Sequence, residues 1–280
     1  MAANSDISRH GVTLVLGGTG ATGRHVVHLL LRLNRRVSVI VRSKLRMIEA
    51  LKDIDFLSDI SNRFPVKDDE GNINTAIMYP LLTIIEGSVI DLTDQQIKEY
   101  CNGVENVVCC LGHTLSFKGI YGKPRRFVSV TVQRFSDILA SSIGPKRKLI
   151  VMASDGVPHP SDDPYGFWLR KIMGCIRRVL PPHADNEAVG SYFCNLIGAG
   201  NMEWVLVRPT NLFNGPETQY KLYNKPVGLI FGKQVVSRAN VAKFIVDLVI
   251  DESLFQEYRF RMPVIHDELS PLQASSKNRN

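Results

Sequence analysis

The chain has 280 residues, of which 44% are hydrophobic and 22% are charged. These fractions are close to the averages of globular proteins and exclude a disordered or fibrous chain. The formal net charge of +7 suits an anionic partner, and a positive field attracts a phosphate-bearing small molecule as readily as a nucleic acid. The basic clusters are short and none alternates with aromatic residues, so we expect no nucleic-acid partner.

The cysteines and the hydropathy pattern indicate in which cellular compartment the protein resides. Five cysteines occur without the spacing of metal ligands, in a chain too long to depend on disulfide bonds for stability. We therefore expect a reducing compartment and no metal site. The sequence also has no apolar run close to the roughly 18 residues of a membrane span. These features predict a cytoplasmic protein without a membrane span.

The first predicted elements are a strand, a tight turn and a helix. Val12–Leu16 is a short apolar run that ends abruptly in glycines, and an apolar-periodic helix follows at 26–33. Val37–Val41 is a continuous Val/Ile run, which predicts a strand with both faces covered. The three elements form one strand-helix-strand unit.

Strands and helices alternate along the rest of the chain. A helix over 44–51 precedes a polar, turn-rich segment at 53–80, which we interpret as an insertion. A strand at 81–86, a helix at 94–100 capped by Thr93, and a strand at 104–111 come next. Further helices are predicted at 127–142, 187–197 and 241–250, strands at 148–153 and 204–207, an edge strand at 258–262, and a disordered tail at 266–280.

The turn after the first strand carries a Gly-x-Gly-x-x-Gly motif, read from Gly18. Its context is the one the motif requires, with a buried strand before it and a helix after it. Glycines without a Cβ let backbone N–H groups approach a pyrophosphate, while the helix N-terminus favours negative charge. The alternative is a tight turn without a ligand. We interpret the loop as a dinucleotide-binding site formed by Gly17, Gly18, Thr19, Gly20, Ala21, Thr22 and Gly23.

The residue after the second strand indicates which dinucleotide binds. An acidic side chain there would hold the ribose 2′-hydroxyl of NAD, whereas an arginine accommodates the 2′-phosphate of NADP. This sequence has Arg42 followed by Ser43, which favours NADP(H). The alternative is that Arg42 is an ordinary surface charge, and Lys44 and Arg46 either assist or are simply exposed.

The alternation of strands and helices predicts an α/β fold, a doubly wound Rossmann fold with a mostly parallel sheet. We find no internal repeat and no convincing boundary between two domains. A single NAD(P)-binding domain over 1–265, with the insertion at about 53–80, therefore accounts for the chain up to the predicted tail.

The segments 12–23 and 41–43 resemble the atypical short-chain dehydrogenase/reductases. The likeness is strongest to the NAD(P)H-binding branch that contains biliverdin reductase B/flavin reductase and the NmrA-like proteins. It extends over most of the chain, because 87–92 resembles the family's adenine-side segment, 109–112 the end of its fourth strand and 205–209 its sixth strand.

The resemblance implies positions for the rest of the cofactor. Each of these residues also has a structural interpretation as a turn or strand-end residue, and both interpretations remain open. The residues implied beside the adenine are Asp91 and Leu92, those flanking the ribose are Cys110, Leu111 and Gly112, and those near the nicotinamide are Ser154, Pro209, Thr210 and Asn211.

The tyrosine-lysine relay of short-chain dehydrogenases is missing from this sequence. Tyr165 follows Ser154 at a suitable distance, but Leu169 stands four residues later, where a lysine would share its helix face. The helix before the sixth predicted strand, where a lysine would be expected, has His183, Asp185, Asn186 and Glu187. The candidate catalytic residues are His113, Ser154 and Tyr165, and histidine is a residue type that often donates or accepts protons in active sites.

These observations predict an NADPH-dependent reductase of a small planar or carbonyl acceptor that works without the usual relay. The expected acceptor pocket is bounded by 113–123, 155–165 and 209–216. The alternative is a non-catalytic NADP(H)-binding redox sensor or scaffold of the NmrA-like type. We expect a monomer or weak homodimer, and the sequence does not name the acceptor.

Overall fold

The computed structural model describes residues 11–52, 80–113, 122, 124–157, 159, 181–196, 199–225 and 234–268. Ten strands and seven helices lie in these ranges. The strands are β1 (Val12–Leu16), β2 (Val37–Val41), β3 (Leu82–Glu86), β4 (Val104–Cys109), β5 (Arg147–Met152), β6 (Met202–Pro209), β7 (Asn211–Phe213), β8 (Tyr220–Tyr223), β9 (Val235–Ser237) and β10 (Val264–Asp267). The helices are α1 (Gly23–Arg32), α2 (Lys44–Lys52), α3 (Asp94–Tyr100), α4 (Phe127–Ala140), α5 (Pro181–Asn195), α6 (Arg238–Ile250) and α7 (Glu252–Tyr258).

Eight strands form the central sheet, in the order β3-β2-β1-β4-β5-β6-β10-β8. All its neighbours pair in parallel except β10 and β8, which are antiparallel. β7 and β9 form a separate two-stranded parallel sheet. The strand order reverses between β1 and β4, and in such sheets the ligand crevice lies at the carboxyl ends of the strands there. The predicted doubly wound Rossmann fold is confirmed.

The sheet separates two halves of the hydrophobic core. Successive residues of β1 point to opposite faces, so that Val15 packs with α1, α2 and α6, whereas Leu14 and Leu16 pack with α3, α4 and α5. Both faces are covered, which explains why β1 and β2 are apolar runs without polar alternation. Fully buried aromatic side chains anchor each half, Phe244 on one face and Phe135 on the other.

The C-terminal part differs from the prediction. The edge strand predicted at 258–262 is wrong, because the chain forms α7 up to Tyr258 and then turns, with Phe260 at φ 60°. Asp251 starts α7 by accepting hydrogen bonds from the backbone N–H groups of Ser253 and Leu254, and the buried Phe255 holds the helix on the core. The strand comes later, as β10, and lies between β6 and β8.

Several element boundaries also differ. The helix predicted at 187–197 covers Pro181–Asn195 within the described residues, so it extends further toward the N-terminus than predicted. The helix predicted to begin at 241 starts at Arg238, because the Ser237 hydroxyl accepts from the backbone N–H of Asn240. His266 and Asp267, assigned to the disordered tail, lie in β10, whereas 269–280 and most of the predicted insertion lie outside the described residues.

The predicted cap of α3 is confirmed. The Thr93 hydroxyl accepts from the backbone N–H of Gln96 at 3.2 Å, and the Gln96 side chain accepts from the backbone N–H of Thr93 at 2.9 Å. This reciprocal pair is a capping box. None of the helices in the described part of the chain is long and apolar enough to cross a membrane.

Candidate functional site

In the glycine loop between β1 and α1, two glycines are packed too closely against backbone for a side chain. A Cβ at Gly23 would lie 2.2 Å from the carbonyl oxygen of Gly17, and a Cβ at Gly17 would lie 2.7 Å from that of Cys110. Gly17 has φ +81°, a conformation that glycine adopts without strain. Its carbonyl oxygen accepts from the backbone N–H of Gly20 at 2.9 Å, which closes the turn. The loop therefore brings bare backbone to the start of α1.

The N-terminus of α1 is suited to an anion. Thr22 stands at the N-cap position but makes no side-chain hydrogen bond to the helix, and the first turn has no acidic residue. The backbone N–H groups of Arg24 and His25 donate to the carbonyls of Gly20 and Thr22, both at 3.0 Å, so the attraction for a negative ligand comes from the positive end of the helix dipole. Gly18 and Thr22 are buried, whereas Thr19 and Ala21 are exposed. The cradle that the glycines leave fits the pyrophosphate of a dinucleotide.

Arg42 lies exposed directly after β2, at the same edge of the sheet as the glycine loop. The next residue, Ser43, accepts a hydrogen bond from the backbone N–H of Arg46 at 3.3 Å and so helps to begin α2. β2 and β3 are neighbours, and the backbone N–H of Gly87 donates to the carbonyl of Val41 at 2.8 Å. Arg42 therefore stands beside Gly87, the first residue of the segment 87–92 that the resemblance assigns to the adenine side.

That adenine-side loop is held by a residue that the sequence did not single out. Arg134 of α4 donates to the carbonyl oxygen of Leu92 at 2.5 Å and to Oδ1 of Asp94 at 2.9 and 2.6 Å. Leu92 is buried and Asp91 is exposed, with its backbone N–H donating to the carbonyl of Ser88 at 3.0 Å. These contacts join residues about 40 positions apart in the sequence, so no local sequence pattern predicts them.

The end of β4 borders the glycine loop. Cys110 is buried, and its backbone N–H donates to the carbonyl of Leu16 at 2.9 Å. Burial raises the pKa of the Cys109 thiol to about 12 and that of the Cys110 thiol well above its usual range, so both thiols are packing groups. Leu111 is half-buried, and Gly112 is exposed with open space where a Cβ would be.

His113, four residues after β4, contacts an acidic residue of α5. Its Nε2 lies 2.9 Å from Oδ2 of Asp185, and only 6% of the His113 side chain and none of the Asp185 side chain is exposed. The Asp185 carboxylate also accepts from the backbone N–H groups of Val128 and Ser129, at 2.9 and 3.0 Å. Asp185 thus joins the end of β4 to the first turn of α4.

A second group of titratable side chains lies at the end of β5. Ser154 and Asp155 follow this strand, and the His183 ring lies 3.0 Å from where a Cβ on Gly156 would be. His183 Nε2 lies 3.4 Å from Oε1 of Glu187, four residues further along α5. Burial raises the pKa of Asp155 to about 6, although the Arg208 charge opposes the shift.

The end of β6 is fixed by a fully buried arginine. Arg208 donates to the carbonyl oxygens of Met262, Val157 and Asn224, at 2.8, 2.9 and 3.2 Å. These carbonyls belong to three different connections, so Arg208 ties together the chain around the carboxyl ends of β5 and β6. Sequence reasoning missed this role, since an arginine before a proline at a strand end carries no sign of burial.

The residues implied near the nicotinamide occupy different environments. Pro209 and Thr210 are buried, and the Thr210 hydroxyl donates to the carbonyl of Ile265 at 3.4 Å. Asn211 is exposed, and its side-chain amide donates to the carbonyl of Gln234 at 3.2 Å. Tyr165 lies outside the described residues, as do 114–121, 123, 158 and 160–164 of the expected acceptor pocket.

A cavity of about 310 Å³ lies at the opposite edge of the sheet, where its lining includes Thr13, Asn106 and Lys148, close to the starts of β1, β4 and β5. It is therefore separate from the glycine loop and is not the expected cofactor site. Within the described ranges no three His, Cys, Asp or Glu side chains are grouped so that they could hold a metal ion.

Solved structures of bacterial proteins share this fold. The oxidoreductase YlbE from Lactococcus lactis has a TM-score of 0.60 at 12% identity, over 95% of each chain. A candidate NADH-flavin reductase from Streptococcus pneumoniae has a TM-score of 0.57 at 14% identity, over 92% of this chain and 100% of its own. ChuY, an anaerobilin reductase from Escherichia coli, has a TM-score of 0.56 at 14% identity, over 93% of this chain and 99% of its own. At these identities the likeness shows the fold alone.

A match to a protein-family model assigns the chain to a family. No curated protein sequence matches the chain, but the model described as NAD(P)H-binding matches residues 73–252. This range runs from ahead of β3 to the start of α7 and includes His113, Ser154, Asp185 and Arg208, whereas the glycine loop precedes it. With the geometry of that loop, the match shows that the chain belongs to the NAD(P)H-binding family that its motifs resemble.

Proposed function

We propose that this protein is an NADPH-dependent reductase of a small planar or carbonyl acceptor. One observation carries the proposal, the glycine loop at the carboxyl end of β1. Its backbone approaches so closely that Gly17 and Gly23 have no room for a Cβ, and it leads into a helix N-terminus without a side-chain cap. Loops of this kind bind the pyrophosphate of a dinucleotide.

Arg42 supports the choice of NADPH over NADH. It lies exposed after β2, where a guanidinium accommodates the 2′-phosphate and where NAD-binding chains carry an acid. A hydrogen bond to a charged group contributes about 1.5 to 3 kcal/mol, which corresponds to roughly 10- to 100-fold in affinity. We assign Asp91 and Leu92 to the adenine, Cys110, Leu111 and Gly112 to the ribose, and Ser154, Pro209, Thr210 and Asn211 to the nicotinamide.

The protein's part in the reaction is binding, orientation and exclusion of water. When bound, a reduced nicotinamide supplies a hydride to an acceptor at the carboxyl ends of β4, β5 and β6. Tyr192 of α5 does not replace the missing relay, because its hydroxyl donates to Oδ1 of Asp137 at 3.0 Å and its pKa is raised to about 12, chiefly by burial. The acceptor's proton therefore comes from water or from another side chain at this edge.

An acceptor screen tests the reductase function. Purified protein is incubated with NADPH and a panel of flavins, tetrapyrroles, quinones and other carbonyl compounds, and oxidation of NADPH is followed by absorbance. We expect turnover with at least one class, at a rate that Arg42→Ala lowers when NADPH is limiting. Absence of turnover across the panel would contradict the proposal.

A redox sensor is the second candidate, and the missing tyrosine-lysine pair favours it. Such a protein binds NADPH and NADP⁺ but turns over no acceptor, and its two nucleotide forms differ in affinity for a partner protein. If the NADPH and NADP⁺ complexes bound the partner with equal affinity, this alternative would be contradicted. A ligand that binds two states equally well does not shift the equilibrium between them.

A further inference from the structure

The starts of α1 and α6 lie side by side at the carboxyl edge of the sheet. α1 follows β1, and α6 follows β9, which pairs in parallel with β7 just beyond the end of β6. The two helices pack against each other, and α6 also packs on β5. The start of α6 therefore adjoins the glycine loop on the side of the segment that we assign to the nicotinamide, 209–211.

Both helix starts carry basic side chains. Arg24 and His25 lie in the first turn of α1, Arg238 is the first residue of α6, and neither first turn contains an acidic residue. Burial and then the charge of Arg24 lower the pKa of Arg238, and burial followed by the charges of Arg24 and Arg238 lowers the pKa of His25. The three basic groups are therefore close enough to repel one another when charged, and the positive ends of two helix dipoles add to them. This point of the surface attracts an anion.

The Arg238 side chain is held in place and is only partly buried. Its Nη1 donates to Oδ1 of Asn214, the residue after β7, at 2.9 Å. This bond uses one of the five N–H donors of a guanidinium. The planar fork of the guanidinium matches two oxygens of a phosphate, which a lysine does not match. Arg238 is thus oriented by Asn214 and suited to bind a phosphate group.

From these positions we propose that Arg238 binds the pyrophosphate of the dinucleotide, at the phosphate nearer the nicotinamide. The proposal rests on the reductase function and deepens it by adding a cofactor contact outside the glycine motif and outside the segments that carry the resemblance. A dinucleotide that runs from the ends of β2 and β3 to those of β5 and β6 crosses the start of α1, beside which the start of α6 lies. The glycine loop supplies backbone contacts to the pyrophosphate, and Arg238 supplies a full positive charge.

A purely structural role for Arg238 is the competing explanation, and it makes a different prediction. If the bond to Asn214 served only to hold the loop after β7, Arg238→Gln would lower the thermal midpoint of the nucleotide-free protein. We expect a midpoint equal to or above that of the wild type instead, because the variant loses a charge that repels Arg24. Saturating NADPH should then raise the midpoint of the wild type more than that of the variant.

The first test is calorimetric titration with NADPH, NADH and adenosine 2′-phosphate, which has the 2′-phosphate but no pyrophosphate. We expect Arg238→Gln to weaken binding of both dinucleotides at least about 10-fold and that of adenosine 2′-phosphate by less than about two-fold. Arg238→Lys should fall between wild type and Arg238→Gln, because it keeps the charge without the fork. Lys243→Gln is the matched control, since it removes one charge from the same helix, where Lys243 pairs with Asp247 at 2.7 Å. It should leave all three affinities within about two-fold of wild type.

The second test uses His25 as a reporter and does not depend on turnover. The imidazole NMR signals of His25 are followed through a pH titration, with and without saturating NADP⁺. We expect NADP⁺ to move the titration of His25 to higher pH, because the pyrophosphate offsets the positive charges around the ring. Arg238→Gln should also move it to higher pH in the nucleotide-free protein, since one of those charges is removed. A titration of His25 that NADP⁺ leaves unchanged would place the pyrophosphate elsewhere and overturn the proposal.

The outcomes separate this proposal from the proposed function. Failure of the wild type to bind either dinucleotide contradicts the reductase function itself. Unchanged affinity for NADPH and NADH in Arg238→Gln overturns the Arg238 assignment alone, including the case in which the variant instead loses turnover of acceptors that carry a carboxylate. Equal loss of affinity for all three ligands, with a lower thermal midpoint, also overturns it, since that pattern shows a structural defect.

Discussion

Asp155 is a residue whose surroundings favour its neutral form. Burial raises its pKa from 3.8 to about 6, in spite of the opposing charges of Arg208 and His183. A raised carboxyl pKa stabilises the folded protein below the unfolded value, and this stabilisation is lost as the pH rises through the folded value. The free energy of unfolding should therefore fall between about pH 4 and pH 6.

The variant Asp155→Asn keeps the neutral form at every pH. We expect its free energy of unfolding at pH 7 to exceed that of the wild type by about 1 to 2 kcal/mol. This is less than the full pKa shift implies, because the site is partly exposed. Its stability should also vary less between about pH 4 and pH 6. Urea titrations across this range provide the measurement, with Asp91→Asn as an exposed control. Parallel profiles for wild type and Asp155→Asn would refute the prediction.

Gly23 provides a second test at the residue scale. The added methyl group of Gly23→Ala would lie 2.2 Å from a backbone oxygen, which must move to accommodate it. We expect a loss of about 1 to 3 kcal/mol in the free energy of unfolding and weaker NADPH binding. Gly112→Ala, where the added methyl group meets open space, should change stability by no more than about 0.5 kcal/mol. Similar stability of the two variants in chemical denaturation would contradict the packing argument.

At the scale of elements, Arg208 connects three segments that no local signal joins. Arg208→Met removes the donors to the carbonyls of Val157, Asn224 and Met262, and each unsatisfied buried acceptor costs about 1 to 3 kcal/mol. We expect a loss of more than about 3 kcal/mol in thermal or urea unfolding. Arg261→Ala, at an exposed arginine nearby, is the control and should stay within about 0.5 kcal/mol of wild type. A mild effect of Arg208→Met would show that water replaces the guanidinium.

At the scale of the whole molecule, local patterns predicted the sheet but not its connections across space. The apolar runs of β1, β2 and β4 and the cap at Thr93 are read from neighbouring residues, and the structure confirms them. The prediction of a strand at 258–262 was wrong because a short aromatic segment is compatible with a strand or a helix. The burial of Phe255, which holds α7 on the core, is visible only in the structure.

The candidate site divides in the same way. The glycine loop and Arg42 were predictable, because their chemistry depends on a motif and on the position after a strand. Asp185 and Arg134 were not predicted as partners of His113 and of the adenine-side loop. Their contacts span 72 and 42 positions of the chain and follow from the packing of α5 and α4. Such contacts have no sequence period to reveal them.

The most direct test of the account is calorimetric titration of the purified protein with NADPH and, separately, NADH. We predict that NADPH binds more tightly than NADH, and that Arg42→Ala weakens NADPH binding about 10- to 100-fold while affecting NADH little. Arg32→Ala, an exposed arginine at the far end of α1, should behave as wild type. Absence of binding by either nucleotide would contradict the dinucleotide site at the glycine loop, and equal binding of both would contradict the role of Arg42.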